Sequence, residues 1–233
     1  MFTVIIKLSG TNMKKTITAL SISAIFTSSM LIAASAHTIE GLSANASASS
    51  NYLWRGVTQT TNSAAVSGGI DYENASGFSV GTWASNADWA ENMTYELDVY
   101  AAYSNELDNG LGYSIGYIYY AYDSDADADF SEVNFSLSYD AFSITYNTLV
   151  DSDADGDFGD DTYISADAAF EVSEGLELGL HVGSYDFDAG GDYVDYGISL
   201  SKNGFTFAIS DTDIDGADGD VNFVVSYSVD LDL

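Results

Sequence analysis

Two acidic segments of this chain have the residue types and the spacing of a calcium-binding loop. Each places three aspartates at alternate positions before a glycine: Asp151, Asp153 and Asp155 before Gly156, and Asp211, Asp213 and Asp215 before Gly216. Carboxylate oxygens are preferred calcium ligands, and glycine permits the sharp turn that such a loop needs. The glutamate expected at the twelfth position is replaced by Thr162 and Asn222. Two interpretations stay open: specific calcium sites, with no other cofactor, or solvated loops that bind divalent cations diffusely.

A second set of acids lies in segments in which polar and apolar residues alternate: Glu96, Asp98, Glu132, Asp167, Glu171 and Glu177. Their neighbours on the same face are mostly serine, glycine, asparagine and threonine. If this face lines a pore, the small residues leave room and the carboxylates favour cations. Alternatively, the carboxylates pair with Arg55 or His181 and fill a narrow barrel.

The basic residues do not form a catalytic arrangement in this reading. Arg55 lies between Trp54 and Gly56, where we expect it to pair with acids at a rim or to line a pore mouth. An outer-membrane phospholipase would need a serine and a histidine together on a lipid-facing strand. His181 is instead on the polar face of its segment, and Ser184 points to the other side. We therefore expect no enzyme activity.

The composition is strongly acidic and typical of a regular β protein. The 233 residues have a net charge of −31, with no cysteine and no proline, and 46% of them are hydrophobic. Such a charge repels nucleic acid, so DNA and RNA partners are excluded. Without cysteine there is no disulfide scaffold. The hydrophobic content argues against a disordered chain.

An export signal is predicted at the start of the chain. From Met13, two lysines and an apolar stretch lead to Ala34, Ser35 and Ala36, the layout of a secretory signal peptide. We expect residues 1–36 to be this peptide and residues 37–233 to be one outer-membrane β-barrel domain. Within the peptide, we expect translation to start at Met13, with residues 1–12 assigned upstream of the true start. A membrane-anchoring helix is the weaker alternative, because the apolar stretch is short. After cleavage Arg55 and Lys202 face 36 acids, a net charge of −34.

Residues 133–148 show the pattern that the rest of the chain repeats. With a turn at Asp140 and Ala141, Leu137 faces Ile144 on an apolar surface, and small polar residues face one another on the other surface. We predict twelve such strands, at residues 42–54, 64–72, 78–85, 94–104, 111–122, 133–139, 142–148, 162–172, 176–185, 192–201, 205–210 and 221–231.

The connections between these strands alternate between short turns and longer loops, and four of the longer loops are strongly acidic. This alternation favours an up-and-down meander over a Greek-key sandwich. Aromatic residues near the strand ends, such as Tyr139, Tyr185, Tyr193 and Phe205, are typical of rings at the two lipid–water interfaces. The prediction is an all-β transmembrane up-and-down antiparallel barrel of about 12 strands. Its apolar face would meet lipid and its polar face would line the lumen.

Five segments of the first half resemble the TorF-like family of bacterial outer-membrane porins. They are residues 50–60, SNYLWRGVTQT; residues 65–72, AVSGGIDY; residues 77–86, GFSVGTWASN; residues 96–100, ELDVY; and residues 116–120, GYIYY. The second half is similar mainly in its repeated alternation of apolar and polar residues. The resemblance implies an outer-membrane location and a pore, and it supplies no catalytic or ligand residues to carry over.

These observations predict a porin-like protein of the Gram-negative outer membrane that allows passive diffusion of small, cationic solutes. The expected partners are outer-membrane lipid and small solutes or cations, without nucleic acid, and the oligomeric state is not specified. A first alternative is a non-conducting surface barrel whose acidic loops bind divalent cations or a partner. A second alternative is a secreted, soluble β protein.

Overall fold

The computed structural model describes residues 39–123, 127–154, 156–216 and 219–233. The predicted signal peptide, residues 1–36, and Asp155 lie outside these residues. No helix in the described ranges is long and apolar enough to cross a membrane. The strands in these ranges are β1 (Leu42–Ser49), β2 (Leu53–Trp54), β3 (Val57–Thr58), β4 (Ala65–Glu73), β5 (Phe78–Asn86), β6 (Tyr95–Glu106), β7 (Leu111–Tyr122), β8 (Phe130–Tyr139), β9 (Phe142–Ser152), β10 (Thr162–Ser173), β11 (Leu176–Asp186), β12 (Tyr193–Lys202), β13 (Phe205–Thr212) and β14 (Asn222–Asp232).

Twelve of these strands close into one antiparallel barrel. Each barrel strand pairs with the barrel strands before and after it in the chain, and β1 closes the sheet by pairing with both β4 and β14. Closure leaves no unpaired sheet edge, which a lipid environment requires because it offers no water to satisfy backbone groups. The predicted twelve-stranded up-and-down barrel is confirmed, and the Greek-key sandwich is excluded.

The hairpin of β8 and β9 has the predicted register and turn. Leu137 faces Ile144, and Asp140 turns the chain with a φ of 55°. Leu137 and Ile144 are each 54% exposed on the outer surface. On the inner surface, Ser136 and Thr145 share a hydrogen bond of 2.9 Å. Apolar side chains therefore face outward and polar ones face the lumen, the arrangement of a barrel in lipid.

Short turns and longer loops gather at opposite ends of the barrel, as predicted. Short turns join β4 to β5, β6 to β7, β8 to β9, β10 to β11 and β12 to β13, at what we call the short-turn rim. The acidic loops lie at the other end, the long-loop rim. There, the Thr94 hydroxyl and the backbone N–H groups of Thr94 and Tyr95 donate to the Asp123 carboxylate. These hydrogen bonds hold the pKa of Asp123 below its ordinary value.

The prediction that aromatic residues near strand ends face lipid is right for some rings and wrong for others. Tyr139 and Phe205 are 59% and 50% exposed on the outer surface. Tyr185 and Tyr193 are instead buried inside the barrel. They occupy positions of β11 and β12 that point inward, and they pack close to Trp54, a residue predicted to lie in the wall.

The chain leaves the barrel wall after Ser49, earlier than predicted. Residues 51–60, which we call the inner hairpin, contain β2 and β3, and these two strands pair only with each other. Arg55 and Gly56 at its tip have φ values of 50° and 82°, the left-handed conformation of a two-residue hairpin turn. The predicted strand at residues 42–54 is therefore wrong beyond Ser49. Tyr52 and Trp54 continue the alternating pattern, but they pack inside the barrel.

Candidate functional site

The inner hairpin crosses the lumen, and Arg55 at its tip joins it to the far wall. Arg55 Nη2 donates to Glu132 Oε2 at 2.6 Å, and the two side chains are 2% and 1% exposed. The guanidinium carbon also lies 4.2 Å from the ring centre of Trp54, 4.4 Å from that of Tyr163 and 4.7 Å from that of Tyr185. Cation–π contacts of this kind stabilise most when they are desolvated. Arg55 therefore combines one buried ion pair with an aromatic enclosure.

Three further contacts fix the position of the inner hairpin. The Tyr193 hydroxyl donates to the Arg55 carbonyl oxygen at 3.1 Å. Near the base, the Asn51 amide donates to Asn222 Oδ1 at 3.2 Å. Gly56 lies so close to β12 that a Cβ there would be 2.7 Å from the Cβ of Asp195. With further contacts on β5, β6 and β7, the inner hairpin touches the wall on β5, β6, β7, β8, β10, β11, β12 and β14, and it narrows the lumen at this level.

Three of the predicted lumen acids lie next to the inner hairpin. Glu96, Asp98 and Glu132 point inward from β6 and β8, and each is at most 1% exposed. Glu132 pairs with Arg55, one of the two pairings that the sequence left open. Glu96 Oε1 accepts a hydrogen bond of 2.9 Å from the Tyr52 hydroxyl of the inner hairpin. These carboxylates therefore lie on one side of the lumen at its narrow level, and all three are buried.

His181 bridges two carboxylates on the inner face of β10, β11 and β12. Its Nδ1 lies 2.6 Å from Asp167 Oδ1, and its Nε2 lies 2.7 Å from Asp195 Oδ2. The Tyr163 hydroxyl donates to the other oxygen of Asp195 at 2.9 Å. An imidazolium donates from both nitrogens, so the arrangement fits a charged His181 that neutralises part of this acidic wall. The pairing of His181 with Asp167 is the second of the two pairings that the sequence left open.

Gly183 makes room for this cluster, which leads to a stability prediction. A Cβ at Gly183 would lie 2.0 Å from the Tyr163 hydroxyl oxygen and 2.6 Å from Asp195 Oδ1. Gly183→Ala should lower the free energy of unfolding by about 1–3 kcal/mol, the usual effect of overpacking. The control is Gly197→Ala in the adjacent strand, where the nearest atom would be 3.3 Å away. Urea unfolding of the refolded protein in lipid vesicles measures both, and equal stabilities would contradict the proposed crowding.

Glu171 and Glu177 lie at the short-turn rim, far along the wall from the inner hairpin. They face each other across β10 and β11. Glu171 also accepts a hydrogen bond of 3.1 Å from the backbone N–H of Gly175 in the turn between these strands. At the same rim Lys202 donates to the carbonyl oxygen of Glu174 at 2.8 Å. Whether these acids border a solute path stays a prediction.

A cavity of about 80 Å³ remains beside the inner hairpin. Small side chains of β1, β4, β5 and β14, many of them serines, form most of its wall with Trp83, and the inner hairpin forms the rest: Asn45, Ala46, Ser47, Ser49, Asn51, Tyr52, Leu53, Ala65, Ser67, Trp83, Ser85, Ser226 and Ser228. We call this space the serine cavity. It lies on the side of the lumen opposite the Arg55 ion pair, where the wall carries small side chains.

The acidic loops are less clustered than a calcium site needs. In the described ranges, no group of three or more acidic or histidine side chains could hold a metal ion. Asp211 accepts a hydrogen bond of 2.9 Å from Tyr196, and Asp213 accepts one of 2.7 Å from the backbone of Val194. Asp151, Asp153 and Asp215 are exposed at the long-loop rim, whereas Asp155 lies outside the described residues. Calcium binding by these loops stays a prediction.

Sequence reasoning missed the inner hairpin and the inward tyrosines. The missed residues that build the site are Tyr52, Trp54, Tyr163, Tyr185, Tyr193 and Asp195. One signal was available for the first two: the segment that contains them ends in Arg55 and Gly56, a charged residue and a turn residue next to each other.

Comparison with known proteins supports the same fold. A profile of a family described as "Bacterial protein of unknown function (Gcw_chp)" matches residues 32–230. Among solved structures, a KdgM porin is similar with a TM-score of 0.52 and 9% identity, over 81% of this chain and 96% of that one. A KdgM porin in complex with disordered oligogalacturonate has a TM-score of 0.49 and 10% identity, over 81% and 95% of the two chains. OccD3 (OpdP) of Pseudomonas aeruginosa has a TM-score of 0.40 and 14% identity, over 82% and 66%. No curated protein matches the sequence.

Proposed function

This chain belongs to the Gcw_chp family of bacterial proteins of unknown function, and we propose that it is an outer-membrane, porin-like channel for passive diffusion of small cationic solutes. The observation that carries the proposal is a closed twelve-stranded barrel whose apolar side chains face outward and whose lumen is polar and acidic. The proposal includes export after cleavage of residues 1–36, a barrel domain at residues 37–233 and contact with outer-membrane lipid. It also retains the resemblance to the TorF-like family as a prediction.

We infer that solutes pass beside the inner hairpin, along the serine cavity. The hairpin fills the side of the lumen next to β8, β10, β11 and β12, where Arg55 is enclosed. The opposite wall has small hydroxyl and amide side chains, which exchange hydrogen bonds with passing solutes or water. A barrel of about 12 strands is intermediate between filled barrels and wide porins, so its lumen should admit small solutes only.

The preference for cations follows from the balance of charge in and around the lumen. Arg55 and His181 are each matched by carboxylates, Glu132 for the first and Asp167 with Asp195 for the second. The acidic loops at the long-loop rim add an unbalanced negative potential. Such a mouth raises the local concentration of cations and repels anions.

A liposome-swelling assay tests the proposed solute class. Vesicles that contain the refolded protein are placed in isosmotic solutions of small cationic, neutral or anionic solutes of similar size. We expect swelling to be fastest with the cationic solute and slowest with the anionic one. Equal rates for the three, or no swelling with correctly folded protein, would contradict the proposal.

Neutralising exposed acids at the long-loop rim should reduce the preference for cations. Asp186 is exposed at the end of β11, Asp188 is exposed in the loop that follows, and Asp215 is exposed in the last loop. Changing all three to Asn should move the reversal potential in a salt gradient toward zero. The difference from the wild type should vanish at high salt, because screening shortens the Debye length to about 3 Å at 1 M. An unchanged reversal potential at low salt would exclude the rim as the source of selectivity.

The second candidate function is a non-conducting surface barrel whose acidic loops bind divalent cations or a partner. The observation that favours it is the inner hairpin, which crosses the lumen and is tied to the far wall at Arg55. A folded protein that causes no current steps in a planar bilayer would support this alternative and reject the channel.

A further inference from the structure

The buried acids Glu96 and Asp98 differ from the other buried acids of the lumen because no basic side chain neutralises them. Glu96 Oε2 and both carboxylate oxygens of Asp98 are buried without a well-aligned hydrogen bond among the described residues, and the two carboxyl groups and the Tyr122 hydroxyl lie close to one another. By contrast, Glu132 has Arg55 as its partner, and Asp195 has His181. Burying an unpaired carboxylate is costly, so this pair requires a positively charged partner or a proton.

The remaining basic side chains of the described ranges are engaged elsewhere. Arg55 is 2.6 Å from Glu132, and both nitrogens of His181 face Asp167 and Asp195. Lys202 donates to a backbone carbonyl at the short-turn rim. No protein cation in these ranges is therefore available to Glu96 and Asp98.

Aromatic side chains of the neighbouring strands lie on both sides of Glu96 and Asp98. Glu96 and Asp98 are two residues apart on the inner face of β6, so their carboxylates point the same way. On one side Asp98 faces Trp83 of β5. On the other side Glu96 and Asp98 face Tyr122 and Tyr120 of β7. Directly opposing side chains in a sheet have Cβ atoms about 4.5–5.5 Å apart, so these rings wall the pair on both sides.

We propose that Glu96 and Asp98, with the hydroxyl oxygen of Tyr52, form an internal binding site for a divalent cation such as Ca²⁺. Two carboxylates match the charge of one divalent cation, and all the available donors are the hard oxygen atoms that calcium prefers. Tyr52 already contacts Glu96 at 2.9 Å, so its oxygen lies at the edge of the site. This site is distinct from the acidic loops at the rim.

The serine cavity lies next to this site. Tyr52, Trp83 and Ser85 line the cavity, and Ser85 is the cross-strand neighbour of Glu96. A cation at the pair would connect β6 to the inner hairpin through Tyr52. It would therefore fasten the base of the inner hairpin, as Arg55 fastens its tip. The inference does not depend on whether the lumen conducts.

Terbium luminescence tests the site because Tb³⁺ occupies calcium sites and emits when a nearby aromatic residue is excited. With excitation selective for tryptophan, the refolded wild type should show saturable Tb³⁺ emission that Ca²⁺ displaces. High ionic strength during the titration suppresses diffuse binding to the acidic loops. Glu96→Gln with Asp98→Asn keeps the shapes of the side chains and should abolish most of the saturable emission.

The matched control is Asp186→Asn with Asp188→Asn, which removes two exposed carboxylates at the same spacing. It should leave the saturable emission unchanged. Trp83→Phe should also reduce the emission strongly while Ca²⁺ still raises the Tm, because the sensitising ring is lost and the site is kept. This second variant decides the question if the acid double variant fails to fold. No saturable emission in the wild type, which would mean that the acids share a proton, or emission unaffected by both site variants, overturns the proposal.

Discussion

Removing the inner hairpin should raise the single-channel conductance several-fold. In the variant, a short Gly-Ser linker replaces residues 51–60, and Glu132→Gln removes the carboxylate that would lose its partner. The hairpin contacts the wall on β5, β6, β7, β8, β10, β11, β12 and β14, so its removal opens most of the narrow level. The barrel strands pair independently of β2 and β3, so the wall should stay closed. Planar-bilayer recording of single current steps measures the change.

The control for this variant is a Gly-Ser replacement of residues 188–191, which are exposed at the long-loop rim. That change keeps the contacts of the inner hairpin and should leave the conductance close to the wild-type value. If removal of the inner hairpin also leaves the conductance unchanged, the hairpin does not define the narrowest level. A different constriction would then have to be sought among the wall side chains.

Replacing Arg55 with Met should lower the free energy of unfolding by about 3–5 kcal/mol. This is the usual cost of removing one partner of a buried ion pair, because the other charge is left buried and unpaired. Glu132 would stay in a site where it is only 1% exposed, without its 2.6 Å partner. Loss of the contacts with Trp54, Tyr163 and Tyr185 adds to the effect. Urea unfolding of the refolded protein in lipid vesicles, followed by tryptophan fluorescence, measures the free energy of unfolding.

A double-mutant cycle separates the ion pair from the aromatic contacts. Glu132→Gln with Arg55→Met should be more stable than Arg55→Met alone, because the orphaned charge is gone. Arg55→Lys is the matched control for charge, and it should be intermediate, since an ammonium lacks the planar shape that stacks between rings. Additive effects of the two single substitutions would show that Arg55 and Glu132 are not coupled.

The barrel wall was predictable from the sequence because each hairpin is defined by residues that are close together in the chain. Alternation in residues 133–148 fixes which side chains share a face, and Asp140 marks the turn, so the cross-strand pairs follow by counting. The pairing of His181 with Asp167 was also within reach, since the two residues face each other directly in the register of β10 and β11. Asp195 lies on the next strand, and its contact depends on how the ring tilts.

The inner hairpin was not predictable by the same reasoning. Tyr52 and Trp54 continue the period of β1, so alternation alone cannot show where the chain leaves the wall. The partner that holds Arg55 inside, Glu132, is 77 residues away in sequence. The tyrosines that enclose Arg55 resemble interface aromatics in composition and in their position near strand ends. The alternation nevertheless places Tyr163, Tyr185 and Tyr193 on the same strand faces as Asp167, His181 and Asp195, so their inward direction could have been found by counting.

The most direct test of a narrowed, cation-selective channel is the reversal potential of the wild-type protein in a planar bilayer with a salt gradient. The account predicts discrete current steps of small conductance, with a reversal potential of the sign set by cation flow. Correctly folded protein that gives no steps, or steps whose reversal potential has the sign of anion flow, would contradict it.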